Sequence, residues 1–277
     1  MTKDNQVKQK KTLKRVASAS FIGNFVEWFD YAAYGFLATV IAVVFFPQSD
    51  PLTALMAAYA IFAISFILRP LGGIFWGHVG DKFGRKNALS WSIILMTLAT
   101  VCIALLPSYQ SIGIFAPILL LVFRMIQGFS ASGEYAGAAN FLAEYAPKKK
   151  RGLYTSLVPA STAAGLLLGS VMAAAMFAFM SEAFLHEYGW RIPFLLAAPL
   201  GLIGYYIRVK LEDTPEFLEH QKTGQKENFP IKALFNQYRP ALFKAFAVAS
   251  LNATAFYLIF NYMPNYLATE LGVNKTQ

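Results

Sequence analysis

Charge is what this 277-residue sequence has least of: 14% of its residues are Asp, Glu, Lys or Arg, against roughly 25% in soluble domains, and 56% are hydrophobic. Too little polar surface is available to coat a soluble globule. Cysteine is nearly absent, and the single Cys102 excludes an intrachain disulfide or a cysteine-built metal site. His78, His186 and His220, expected in loops or linkers, show no metal-ligand spacing. A Walker-type phosphate loop is also lacking, which argues against ATP-driven work by this chain. The apolar runs show no period-two alternation, which argues against a transmembrane barrel. With no nucleophile–base pair and no metal cluster, an enzyme is not expected and no cofactor is called for.

What is present is a series of long apolar runs. Crossing the hydrocarbon core takes about 20 mostly apolar residues per helix. Such runs cover 21–46, 53–76, 88–106, 112–135, 153–180, 192–207 and 241–267, seven expected spans. Backbone polar groups find no partner in lipid, so the spans are expected to be helices and the chain an all-α membrane protein. The net charge of +9 is unevenly spread. Basic residues precede the first run and fill the second–third, fourth–fifth and sixth–seventh connections and their edges, Arg208 standing at the edge of the last. The connections near 47–51, 107–111 and 181–189 carry none. This asymmetry predicts a cytoplasmic N-terminus and a multi-pass protein of the inner membrane. The basic surplus is topological, so no nucleic-acid partner is expected; the bilayer is the expected surrounding. The first run contains Glu27 and Asp30 and exceeds a signal-peptide core, so it reads as a retained helix.

The expected organisation is a basic cytoplasmic segment at 1–16, a six-helix bundle at 17–208, and a charged cytoplasmic linker at 209–238. A seventh helix at 239–267 and an extracytoplasmic tail at 268–277 follow. A seventh helix alone after a linker has no bundle of its own, so a fragment is the expected reading. A true seven-helix protein is the alternative.

Ionisable groups inside a bilayer are functional candidates by default. Glu27 and Asp30 are spaced i, i+3 and so adjoin on one helical face, with Asn24, Tyr31 and Tyr34 extending the stripe. At about 1.5 Å per residue, Asp30 falls near mid-membrane, as does Arg124 on the fourth run. An ion pair of Arg124 with either Glu27 or Asp30 is expected, serving proton or substrate binding or serving helix register alone. A carboxylate can carry a proton in such a site, whereas an arginine stays charged. Glu134 should lie nearer the cytoplasmic face. Trp28 and Tyr31 offer ring faces to a cationic ligand or simply pack. Gly73 and Gly77, Gly133 and Gly137, and Gly165 and Gly169 form i, i+4 pairs suited to close helix approach. The seventh run is polar at Asn252, Thr254, Tyr257, Asn261 and Tyr262.

Several ordered elements carry a family resemblance. GHVGDKFGRK (77–86) resembles the loop between helices two and three of the major facilitator superfamily, and EYAPKKKRG (144–152) resembles its E-x-x-P-x-x-x-R-G element. The pair implies a cytoplasmic gate of Asp81, Arg85, Glu144 and Arg151, with Asp81 capping the turn and pairing with Arg85; a solvated topological loop is the plainer reading. GNFVEWFDYAAYGF (23–36), FILRPLGG (66–73), RMIQGFSASGEYAGA (124–138), GWRIPF (189–194) and LEDTPEF (211–217) are similar to the metabolite:proton symporters of that superfamily. SYQSIGIFAPILLL (108–121) is most similar to proline/glycine betaine transporters. The resemblance implies the major facilitator fold, here its N-terminal six-helix bundle plus linker and seventh helix. It also implies alternating-access uptake of a small zwitterionic or anionic metabolite driven by the proton gradient. An organic-acid symporter (α-ketoglutarate, citrate or shikimate) and an inactive truncated membrane protein remain the alternatives. A C-terminal half would be the natural partner.

Overall fold

Apolar runs that must satisfy their own backbone close into helices wherever the sequence provides a start and a stop. The computed structural model describes residues 3–211, 213 and 238–258, with side chains from residue 11 onward except at 257, and the described residues are helical with no strand. The helices are α1 (Lys3–Phe36), α2 (Ala38–Phe45), α3 (Pro51–Ile67), α4 (Arg69–Phe83), α5 (Arg85–Ala104), α6 (Tyr109–Ile112) and α7 (Phe115–Ala131). They continue as α8 (Glu134–Tyr145), α9 (Arg151–Thr155), α10 (Leu157–Phe179), α11 (Glu182–Glu187), α12 (Ile192–Val209) and α13 (Arg239–Tyr257).

Five helical stretches are long and apolar enough to cross a membrane, or six if α1 and α2, bent by 66°, count as one span. The other five are Pro51–Phe83, Arg85–Ala104, Phe115–Tyr145, Lys148–Phe179 and Gly189–Val209. The expected seventh span, 241–267, is described only as far as residue 258 and is not among them. The polar positions Asn261 and Tyr262, the tail 268–277 and most of the linker lie outside the described residues. The chain divides into two compact units, residues 1–226 and 227–277, and α13 belongs to the second.

Local chemistry sets the boundaries. Asp50 caps α3 by accepting the Thr53 N–H at 3.1 Å, and Pro51 follows in the first turn, where its missing donor is harmless. Hydrogen bonds from Thr53 hold the Asp50 carboxyl below the usual carboxylate range. Pro70 separates α3 from α4 because it lacks an N–H. Ser181 caps α11 through the Phe184 N–H at 3.3 Å. The 77–86 segment, expected as a turn, is mostly helix: α4 runs through Phe83 and only Gly84 turns, at φ 97°. That backbone region is open to glycine and strained for other residues, so a single residue suffices to reverse the chain. His78 and His186 likewise fall inside α4 and α11 rather than in loops.

Helix α1 is the axis of the first unit, packing along α10 and against α12 and α8, while α12 also lies on α5. At about 1.5 Å per residue its 34 residues extend roughly 50 Å, more than the hydrocarbon thickness, so the lysine-rich first turns project beyond the apolar bundle. One core cluster gathers Tyr34, Phe45, Ile103, Trp190 and Phe194 at the end away from those lysines. A second, at the basic end, gathers Val16, Leu89, Phe141 and Val158. Leu52, Met56 and Ile67 of α3 and Leu167, Val171 and Phe179 of α10 point outward. Such apolar outer faces suit lipid rather than water.

Candidate functional site

The polar groups that α1 carries into the bundle each meet a different helix. Asn24 reaches α10, donating to the Val158 carbonyl at 3.0 Å, Ser161 Oγ at 2.8 Å and Thr162 Oγ1 at 2.9 Å. Glycines make that crossing close. A Cβ added at Gly165 would stand 2.7 Å from the Phe25 carbonyl oxygen, and one at Gly169 would collide with Ala32. Gly133 and Gly137 press similarly on Trp76 and Leu89. Gly73 and Gly77 do not share that role: a Cβ at either meets nothing within 4 Å. On the same helix it is Gly72 that abuts α7 at Phe129. The expected i, i+4 pair in α4 was therefore one residue out of register with the contact.

Asp30 and Arg124 form a salt bridge, Nη1 to Oδ2 at 2.7 Å, with side chains 3% and 0% exposed. Gln127, one turn along α7 from Arg124, closes the ring. Its Oε1 accepts from Arg124 Nη1 at 2.8 Å, and its Nε2 donates to Asp30 Oδ1 at 3.1 Å and to Thr100 Oγ1 of α5 at 2.6 Å. The guanidinium lies 3.8 Å above the Tyr34 ring, whose hydroxyl donates to the Ala58 carbonyl of α3 at 2.9 Å. Thus α1, α3, α5 and α7 meet at one buried polar node. Arg124 Nε and Nη2 are buried there with no hydrogen-bond partner.

Glu27 does not join that node. Its fully buried carboxylate pairs with Arg69 of α4, Oε1 to Nη2 at 2.7 Å. Between the alternatives of Glu27 and Asp30 for Arg124, the fold selects Asp30. The Arg69 guanidinium packs on Tyr31 at 4.7 Å, Phe66 at 4.6 Å and Trp28 at 5.9 Å from the ring centres. Tyr31 also faces Arg124 at 5.8 Å, so one ring stands between the two cations.

A third buried pair joins Glu134 of α8 to Arg208 of α12, both side chains 2% exposed. Arg208 Nη1 donates to Glu134 Oε2 and to the Leu89 carbonyl, each at 2.8 Å, and Nη2 donates to the Ala19 carbonyl at 3.2 Å. Arg208 is a buried residue, not one of the interfacial charges that its place at the edge of the sixth–seventh connection suggests. In the expected gate, Arg85 Nε meets Glu144 Oε1 at 2.7 Å, partly exposed, and thereby ties α5 to α8. Asp81 and Arg151 stand outside this bridge, and among the described residues neither has an ion-pair partner. Asp81 does not cap the turn; it lies within α4. Asp213 accepts from the Lys86 backbone N–H at 3.3 Å, and Tyr145 donates to the Asp213 carbonyl at 2.8 Å.

Arg69, Arg208, Gln127 and Thr100 were missed from sequence. The rule that singled out Arg124, an ionisable group inside an apolar run, applies equally to Arg69 in 53–76. Nothing in the sequence marks Gln127 and Thr100 apart from other polar residues of the spans.

The sequence profile described as Major Facilitator Superfamily matches residues 20–277. The proline/betaine transporter of Escherichia coli strain K12 is 41% identical over 272 residues, covering 95% of this chain and 54% of that protein. The glycine betaine/proline/ectoine/pipecolic acid transporter OusA of Dickeya dadantii is 42% identical over 272 residues, with the same coverage of 95% and 54%. The chain thus spans about half the length of these curated relatives. Among solved structures, the proton:xylose symporter XylE bound to 6-bromo-6-deoxy-D-glucose superposes with a TM-score of 0.69 at 18% identity, over 79% of this chain and 48% of that one. The partially occluded inward-open form of the Escherichia coli xylose transporter XylE gives 0.68 at 19% identity, over 95% and 64%. These helices form a membrane-embedded protein of the same fold, and the chain belongs to the major facilitator superfamily.

Proposed function

We propose that this chain works as a proton-coupled secondary transporter of the inner membrane, with a cytoplasmic N-terminus, importing proline, glycine betaine or a similar small zwitterion by alternating access. The names of the relatives support the substrate class. The observation that carries the mechanism is the Asp30–Arg124 pair, buried at a node of four helices with Gln127 and Thr100. A proton on Asp30 cancels its charge and weakens its hold on Arg124, whereas Arg124 cannot itself give up a proton. Protonation therefore changes the attraction between α1 and α7, which is what coupling a proton to a helix rearrangement requires. The energy source is the proton gradient, with no bound cofactor invoked. The Arg85–Glu144 bridge, with Asp81 and Arg151 nearby in sequence, acts as a cytoplasmic latch, and a C-terminal bundle supplies the opposing wall.

Uptake of radiolabelled proline and betaine into vesicles, with and without an imposed proton gradient, tests this reading. Gradient-stimulated uptake is expected for the wild-type protein. Asp30→Asn should abolish that stimulation while leaving substrate exchange across the membrane in place. Gradient-stimulated accumulation of wild-type size in Asp30→Asn would remove Asp30 from the coupling step.

A further inference from the structure

Two arginine pairs lie on the stripe of α1, and their surroundings differ in a way that separates their tasks. Arg124 is fully enclosed and Asp30 nearly so, Gln127 bonds to both, and the atoms this pair leaves without a partner, Arg124 Nε and Nη2, are donors only. Arg69 is 23% exposed beside a fully buried Glu27, so this pair has one open edge. Unspent polar capacity collects there. Glu27 Oε2, Arg69 Nε and Trp28 Nε1 are all buried without a hydrogen-bond partner, an acceptor and two donors on side chains grouped around the Arg69 guanidinium. Buried polar atoms are normally satisfied, so orphans of both kinds at one place call for an explanation. Three aromatic faces, Trp28, Tyr31 and Phe66, already hold a guanidinium and are built to receive a cation.

We propose that the Glu27–Arg69 pair, with Trp28, Tyr31 and Phe66, is the substrate-recognition site, and that it selects small zwitterions over organic anions by charge balance. This rests on the transport reading above and assigns its substrate subsite. A zwitterion parts the pair: its carboxylate takes the Arg69 N–H groups, and its ammonium turns to Glu27 Oε2 and the ring faces. The site holds one positive and one negative charge before binding, and two of each afterwards, so its net charge stays zero. A carboxylate without the ammonium leaves one net negative charge among aromatic rings, and a cation alone leaves one net positive charge. Either is penalised by desolvation with no compensating partner. Tyr31 is the one described ring that faces both guanidiniums, so filling this site bears directly on the Asp30–Arg124 node.

The test is equilibrium binding of radiolabelled betaine to the full-length protein in lipid nanodiscs. Competitors are proline, choline and tert-butylacetate, the betaine isostere with carbon in place of nitrogen. Betaine should bind about thirtyfold or more tightly than tert-butylacetate or choline, the ratio expected when one partner of a desolvated charge pair is missing. Glu27→Gln should narrow the gap between betaine and tert-butylacetate by about tenfold or more, and Arg69→Gln should do so for choline. If either single variant fails to insert, the neutral double variant Glu27→Gln/Arg69→Gln carries the test, and it should bind betaine about thirtyfold more weakly. The proposal is overturned if tert-butylacetate competes as well as betaine, if no zwitterion binds, or if the double variant keeps wild-type affinity. Correct binding without gradient-driven uptake would sink the transport reading alone. Gradient-driven uptake together with equal binding of the anionic isostere would sink this assignment alone.

Discussion

Arg208→Met removes a guanidinium that serves four helices at once, and the structure gives the size of the loss. Arg208 on α12 binds both carboxylate oxygens of Glu134 on α8, the Leu89 carbonyl on α5 and the Ala19 carbonyl on α1. Methionine fills similar volume but leaves Glu134 charged, 2% exposed and unpaired. Removing one partner of a buried pair destabilises by about 3–5 kcal/mol. At 1.4 kcal/mol per tenfold, the folded fraction should fall relative to the unfolded one by roughly two to four orders of magnitude. Replacing both members by neutral groups of similar shape removes the uncompensated charge, so Glu134→Gln/Arg208→Met should recover most of the loss. Unfolding of the detergent-solubilised protein by titrated SDS, followed by circular dichroism, reads these differences directly. A single variant within about 1 kcal/mol of wild type, or a double variant no better than the single, would refute the view that an unpaired Glu134 is what destabilises.

Glycine substitutions should divide by contact rather than by motif. Gly165→Leu should lower the melting temperature sharply because a side chain there drives into the Phe25 backbone of α1, whereas Gly73→Ala should be neutral or stabilising by up to about 1 kcal/mol through helix propensity; thermal melts in detergent compare them. Exchanging the latch charges, Arg85→Glu with Glu144→Arg, should restore the transport lost in either single variant, and vesicle uptake of radiolabelled betaine is the measurement. Failure of the exchange to restore any uptake would leave the bridge without a role of its own.

The membrane class and the helical spans were legible because hydrophobic length is a one-dimensional property. The run at 88–106 became α5 with little adjustment, since neither glycine nor proline interrupts its interior. Partner choice was not legible. Glu27 and Asp30 are three residues apart on one helix, yet they bond to α4 and α7 respectively, and only the placement of neighbouring helices decides that. Arg208 was misread for a related reason. At the end of an apolar run, an arginine that reaches outward and one that turns inward look the same in sequence, and here two backbone carbonyls and Glu134 draw it inward. The glycines of the 77–86 segment suggest a turn, but Gly77 and Gly80 lie within α4 and Gly84 alone makes the reversal.

Charge balance ties these observations together. Three carboxylates lie buried within the described spans, Glu27, Asp30 and Glu134, and each is matched by one arginine, Arg69, Arg124 and Arg208. Every pair joins two different helices, so none is satisfied until the bundle is assembled. In a medium of low dielectric the neutral pairing is what makes six ionisable groups tolerable at all. The same neutrality limits which pair can do work. Arg208 is tied to two carbonyls besides its carboxylate and has no orphaned polar atom. The Asp30 and Glu27 pairs keep unspent donors or acceptors, and Tyr31 of α1 faces both of their guanidiniums. A group that enters or leaves either pair, a proton on Asp30 or a zwitterion at Glu27, therefore changes the electrostatics around a ring the other shares. The third pair instead ties α12 to α8 and to the backbone of α5 and α1.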